Sequence, residues 1–126
     1  MLRNPIHLRL ERHEAWQHLT FMASLCERMY PNYQMFCKQT EFGDPAVYRR
    51  ILDLVWETLV VKDAKVNFDS QLEKLEEAIP SAEDYDLYGV YPAIDACIAL
   101  GELIHSRLGG ETLEHAIAIS ETSIRT

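Results

Sequence analysis

Four side chains near the end of the chain have the types and spacing to do chemistry: Glu102, His105, Glu111 and His115. Glu102 and His105 stand in the E-x-x-H spacing that brings a carboxylate and an imidazole to one helix face, as four-helix di-iron sites require. Glu111 and His115 lie one helical turn apart, as do Glu14 and His18 nearer the start, and each pair can also share a face. Oxygen and nitrogen donors of this kind suit zinc, iron or manganese. Against a metal centre, the E-x-x-H spacing does not recur in the chain, and Glu–His pairs one turn apart are common on ordinary helices. His105 also shares a helical line with Ile98 and Gly101, where a histidine at the edge of a core is the commoner case. The favoured reading is structural, with a metal site on Glu102, His105, Glu111 and His115 as the alternative.

A second cluster, Tyr85, Tyr88 and Tyr91 with Asp84, Asp86 and Asp95, crowds the entrance to one apolar segment. Asp95 sits one turn in from Pro92, where the helix dipole favours a carboxylate. The expectation is that it accepts a hydrogen bond from free amides or a tyrosine hydroxyl; a small-ligand pocket is the alternative. Serine nucleophile elbows, phosphate-cradling glycine loops, H-E-x-x-H pairs and dinucleotide fingerprints do not occur, which lowers an enzymatic reading.

These residues must be positioned by helices. Between Pro92 and Gly109-Gly110 the chain is apolar on nearly every face, from Ala93 and Ile94 through Leu100 to Leu103 and Ile104. At 1.5 Å per residue it is too short to span a bilayer, and it carries charges, so it reads as a buried helix that others surround. Before it, Ala15, Leu19, Met22, Cys26 and Met29, widened by Trp16, Ala23 and Tyr30, define a helical face, which Pro31 interrupts or restarts as NYQMFCKQT. Glu27 is placed toward solvent. Asp44 caps a helix opened by Pro45, with Val47, Tyr48, Ile51, Leu52, Val55 and Leu59 inward and Arg49 and Asp53 paired one turn apart outside. Asn67 caps an outer helix whose dry stripe is Phe68, Leu72, Leu75 and Ile79. Ser81–Asp84 predicts a helical turn, and Leu113, Ala116, Ile117, Ser120 and Ile124 form the face of a final helix. The first twelve residues read as an arm packed on the body.

Composition frames the function. The chain has 126 residues, 20 acidic against 12 basic, for a formal net charge of −8. That balance argues against a phosphate-tracking surface, because nucleic-acid affinity rests on clustered Lys and Arg. Cys26, Cys37 and Cys97 are odd in number and show no ligand spacing, which fits a reducing cytoplasm. The start, MLRNPIHLRLERHE, lacks the apolar run and small-residue cleavage site of a secretory signal. The acidic stretch from Glu73 to Asp86 reads as a solvated rim rather than a cation site, since bound divalent ions need converging oxygens.

The runs NPIHLRLERHEAWQHLTFMASLCERMYPNYQMFC, EFGDPAVYRRILDLVWETL, KVNFDSQLEKLEEAIPSAEDYDLYGVYPAIDACIALGELIHSRL and GETLEHA resemble the YjaG-like bacterial family of unknown function, DUF416. The resemblance covers the whole chain and implies an all-helical fold in a bacterial cytoplasm. It also implies that this chain corresponds to the first two-thirds of a member, truncated at its C-terminus. It carries no catalytic residue, cofactor or substrate onto positions here. The combined expectation is an all-α, irregular or orthogonal bundle of about six helices in a single domain, residues 1–126, around a central apolar helix. The expected role is interaction with protein, including formation of a homo-oligomer, without cofactor, nucleic acid or membrane. A metal-binding protein or metal-dependent enzyme using zinc, iron or manganese is the rival.

Overall fold

The computed structural model describes residue 10 and residues 13–61, 64–85, 89–109 and 112–125. Among them are five α-helices: α1 (Ala15–Thr40), α2 (Pro45–Val60), α3 (Phe68–Ala78), α4 (Val90–Gly109) and α5 (Thr112–Arg125), with one 3-10 turn at Ala82–Asp84. The fold is all-α, as expected. Helix α1 runs unbroken through Pro31, where the sequence suggested an interruption or a new helix. Proline in a helix interior removes the amide that would bond to the carbonyl four residues earlier and costs about 3 kcal/mol. Here Pro31 faces solvent, while Met22, Cys26, Met29, Tyr33 and Phe36 are buried along the same helix. Each large apolar side chain taken from water contributes about 1.5–3 kcal/mol, so burial on both sides of Pro31 outweighs the local defect.

The capping signals act where the sequence placed them. The Asp44 carboxylate accepts from the Ala46 amide at 2.9 Å with Pro45 opening α2, and Asn67 Oδ1 accepts from the Ser70 amide at 3.1 Å at the start of α3. At the start of α1, Gln17 Oε1 accepts from the Glu14 amide at 2.8 Å. Helix α1 ends with Glu41 in the left-handed region at φ 59°, its amide donating back to the Cys37 carbonyl.

Helix α4 is the centre. Val90, Ala93, Ala96, Cys97, Ala99, Leu100, Leu103 and Ile104 are all fully buried on it. It lies chiefly along α1, then α5 and α3, with a smaller contact to α2, while α1 also touches α2 and α5. The small residues Ala93, Ala96 and Ala99 let neighbours approach the α4 backbone, and Tyr48 of α2 exploits this: its hydroxyl donates to the Ala96 carbonyl at 2.9 Å. Tyr48 stacks between Tyr30 and Tyr33 of α1, with centroids 5.4 and 5.5 Å away. The α1–α2 turn is held by another tyrosine. The Tyr33 hydroxyl donates to the Ala78 carbonyl at 2.7 Å and accepts from the Asp44 amide at 3.2 Å, tying α1, the α2 cap and the end of α3 together. Gly43, at φ +80°, passes directly over it; a Cβ there would lie 2.4 Å from the Tyr33 oxygen. Leu10 of the N-terminal arm is buried, and the rest of residues 1–12 lies outside the described residues.

Candidate functional site

Helices α4 and α5 pack against each other, and this packing brings Glu102 and His115 together. His115 Nδ1 and Glu102 Oε2 are 2.5 Å apart, both side chains partly buried on the seam between the helices. With Nδ1–H donating to the carboxylate, the imidazole is held in one orientation with Nε2 left as its second polar position. His105, one turn along α4 from Glu102, is exposed to solvent, and Glu111 lies outside the described residues. The arrangement thus joins two of the four expected ligands. Among the described residues no group of three or more His, Cys, Asp or Glu side chains is placed to hold one metal ion.

His18 and Glu14 do not form a ligand pair. His18 is buried, with Nε2 2.5 Å from the Leu10 carbonyl and Nδ1 2.8 Å from the Thr112 hydroxyl. A carbonyl can only accept, so Nε2 donates to Leu10, while the Thr112 hydroxyl, which can donate or accept, meets Nδ1. Both ring nitrogens are engaged, and the ring fastens the N-terminal arm and the first residue of α5 to α1. Glu14 is exposed at the start of α1.

The tyrosine–aspartate cluster is divided in the same way. Tyr85 packs edge-on against Phe36 at 5.0 Å and tilts against Phe42 at 6.0 Å, so it closes the core beneath the 3-10 turn. Tyr91 is exposed, Asp84 is exposed, and Asp95 is half-buried. Tyr88 and Asp86 fall outside the described residues.

Sequence reasoning missed the strongest polar assembly. Glu27, expected at solvent, faces α2 and accepts both ends of the Arg49 guanidinium, Nη1 at 2.7 Å and Nη2 in a shorter contact. The Trp56 indole donates to the same carboxylate at 3.0 Å. Arg49 also donates to Asp53 at 3.0 Å through Nε and 2.7 Å through Nη2, and lies over the Tyr30 ring at 5.4 Å. The Arg49 hydrogen bonds are the main cause that holds the Glu27 carboxyl below its ordinary 4.5. One hint was available: Glu27 stands one turn before Tyr30 on the face of α1 that meets Arg49. Beside this clamp runs an open groove of about 530 Å³ bounded by Tyr30, Gln34, Arg49, Arg50, Asp53 and Glu57. Its two arginines are balanced by two carboxylates, and Arg49 is already bound to Glu27, so its charge selects neither an anion nor a cation.

The three thiols are buried. Desolvation pushes Cys26 up to about 12 and raises Cys37 and Cys97 as well, which keeps them protonated and poor nucleophiles.

An all-α bundle with these helix-to-helix joints is the architecture into which the comparisons place the chain. Residues 5–126 match the family described as "Protein of unknown function (DUF416)", and the chain belongs to that family. It is similar to a protein called "Uncharacterized protein YjaG" from Salmonella typhimurium, 82% identical over the whole chain, and to that of Escherichia coli strain K12 at 80%. An uncharacterized protein from Haemophilus influenzae is 58% identical over 99% of the chain. The chain spans 64% of the length of these relatives. The crystal structure of a DUF416 family protein from Shewanella baltica OS155 superposes with a TM-score of 0.90 at 38% identity, covering 95% of this chain and 61% of that one.

Proposed function

We propose that this chain is a noncatalytic helical protein of the bacterial cytoplasm that works by binding protein, further copies of itself included. The observation that carries the reading is the occupation of its chemically capable side chains. His18, Glu27, Tyr33, Tyr48 and Arg49 each bond across a joint between elements, and the thiols are buried and protonated. A general base or nucleophile must instead offer a lone pair or proton to a substrate in a cleft. Large apolar side chains meanwhile stand exposed at Trp16, Met35, Val60 and Val61, where a partner can cover them. The cytoplasmic part draws on the bacterial relatives and on the described helices, none of which is long and apolar enough to cross a membrane. Sedimentation velocity over a wide concentration range tests the self-association: mass that rises with concentration is expected. A monomer throughout, with no binding of an apolar dye, counts against it.

The rival, a zinc, iron or manganese site on Glu102, His105, Glu111 and His115, is favoured by one observation, the Glu102–His115 contact at 2.5 Å. A bound ion would need at least a third donor at about 2.0–2.2 Å. Metal analysis of untagged protein, repeated on folded His105→Ala and Glu102→Gln, decides between the two readings. Stoichiometric metal that is lost in both variants would establish the rival.

A further inference from the structure

Helix α2 turns one side to the body and leaves the other uncovered. Tyr48, Ile51, Leu52 and Val55 are fully buried, while Ala46, Arg50, Asp53 and Glu57 are exposed, with Leu54 half-buried among them. Arg50 and Glu57 stand two helical turns apart, so their side chains leave α2 along nearly the same line, and Leu54 lies between them. The far end of this stripe is apolar: Val60 is 81% exposed and Val61, the residue after it, 48%. Asp53 is held by Arg49. Arg50 and Glu57, by contrast, have no side-chain ion pair or hydrogen bond among the described residues. One cation and one anion are thus left unpaired beside the open groove between α1 and α2.

We propose that this face of α2 is where two copies of the chain meet, their α2 helices antiparallel about a two-fold axis. The inference rests on the self-association advanced under the proposed function and assigns it a surface. A two-fold contact brings the same patch of both subunits together, so the patch must complement itself. The α2 stripe does. Reversing it against its own copy about Asp53 and Leu54 sets Arg50 opposite the partner's Glu57, and Glu57 opposite the partner's Arg50. Leu54 then packs on the partner's Leu54, and Val61 reaches the partner's Ala46. The same register brings Asp53 near its own counterpart, where each carboxylate is already compensated by Arg49. Overall charge points to the same face. Two copies of net charge −8 repel, yet the groove beside α2 carries two arginines against two carboxylates, so the copies meet here without a net like-charge clash. From Ala46 to Val61 the stripe is about 22 Å long, a single-helix contact that suits a reversible dimer rather than an obligate one.

The test is a reciprocal charge swap read by sedimentation velocity. Arg50→Glu, Glu57→Arg and the double variant change exposed side chains only, and circular dichroism with urea melts checks that each folds like the parent. Expected is association of the parent that weakens about tenfold or more in each single variant, where like charges face each other twice, and returns in the double variant. An equimolar mixture of the two single variants should associate as well, because each supplies the charge that the other lacks and both contacts are again attractive. Undiminished association of the single variants overturns the proposal and leaves self-association standing at another face. Loss in the single variants with no recovery in the mixture also overturns it, since the two charges would then not meet across subunits. A parent that stays monomeric throughout removes self-association itself, and this face with it.

Discussion

Gly43 illustrates how much can depend on a missing atom. Its left-handed φ of +80° strains any residue with a side chain, and the space a Cβ needs is taken by the Tyr33 hydroxyl at 2.4 Å. Gly43→Ala is expected to destabilise the fold by about 2–4 kcal/mol in urea melts, combining backbone strain with the displaced hydroxyl. Tyr33→Phe removes the bonds to Ala78 and Asp44 while leaving the ring in place, and should cost less, about 1–2 kcal/mol. A Gly43→Ala protein as stable as the parent would show that the turn can relax. The thiols give a second prediction. Cys26, buried and pushed up to about 12, should react with a thiol reagent at neutral pH only on the timescale of unfolding, as should Cys97. Fast stoichiometric reaction in the folded protein would refute the buried placement.

At the level of elements, Pro31 separates two ways of building the same sequence. If Pro31 opened a new helix, Ala in its place would be neutral or harmful, because proline suits a first helical position. In the continuous α1 it sits in the interior and exposed, so Pro31→Ala restores a backbone donor toward the Glu27 carbonyl and should stabilise the protein by about 1–3 kcal/mol, read from thermal or urea unfolding. The clamp between α1 and α2 makes a prediction of its own. Glu27 has a folded pKa below its unfolded value, so its contribution to stability is present above the ordinary carboxyl range. That contribution is lost as pH falls through that range toward the folded value. Glu27→Gln should flatten this part of the stability–pH curve and alter the fluorescence of Trp56, whose indole donates to Glu27. An unchanged acid limb would mean that the clamp does not couple to folding.

What could be read from the chain at this scale was local. The caps at Asp44 and Asn67 and the core of the buried stripe of α2 are properties of short windows, and each formed as expected. Helix α4 is central but leaves Ile98 exposed, so its all-round apolar pattern did not mean burial on every face. Glu27 to Arg49 spans 22 positions, and His18 to Thr112 spans 94. Such pairs exist only once two helices have docked at a particular angle and register, and periodicity within either helix does not encode that angle. The same holds for Glu102 and His115: the spacing showed two capable residues, and only the packing of α4 on α5 made them neighbours. The Pro31 reading failed for a related reason, since a local rule of about 3 kcal/mol was outweighed by burial that the rest of the bundle supplies.

For the whole molecule, the consequence lies in the order in which the chain is made. Helix α1, the first of the five to leave the ribosome, finds its most extensive packing on α4 and a further share on α5. Until α4 has emerged, Met22, Cys26, Met29 and Phe36 have little to cover them, and α2 alone protects one side of α1. Contacts so distant in sequence must wait for the loop between them to close, which delays folding toward the end of synthesis. Ribosome-bound chains arrested with α1–α3 outside the exit tunnel should be cut by protease within α1, whereas chains released far enough to free α5 should resist. Protection of α1 in the shorter chains would show that α1, α2 and α3 form a stable unit by themselves. A nascent chain that holds its longest apolar face open for most of its synthesis is one that general chaperones should engage early, at α1, and release when α4 arrives.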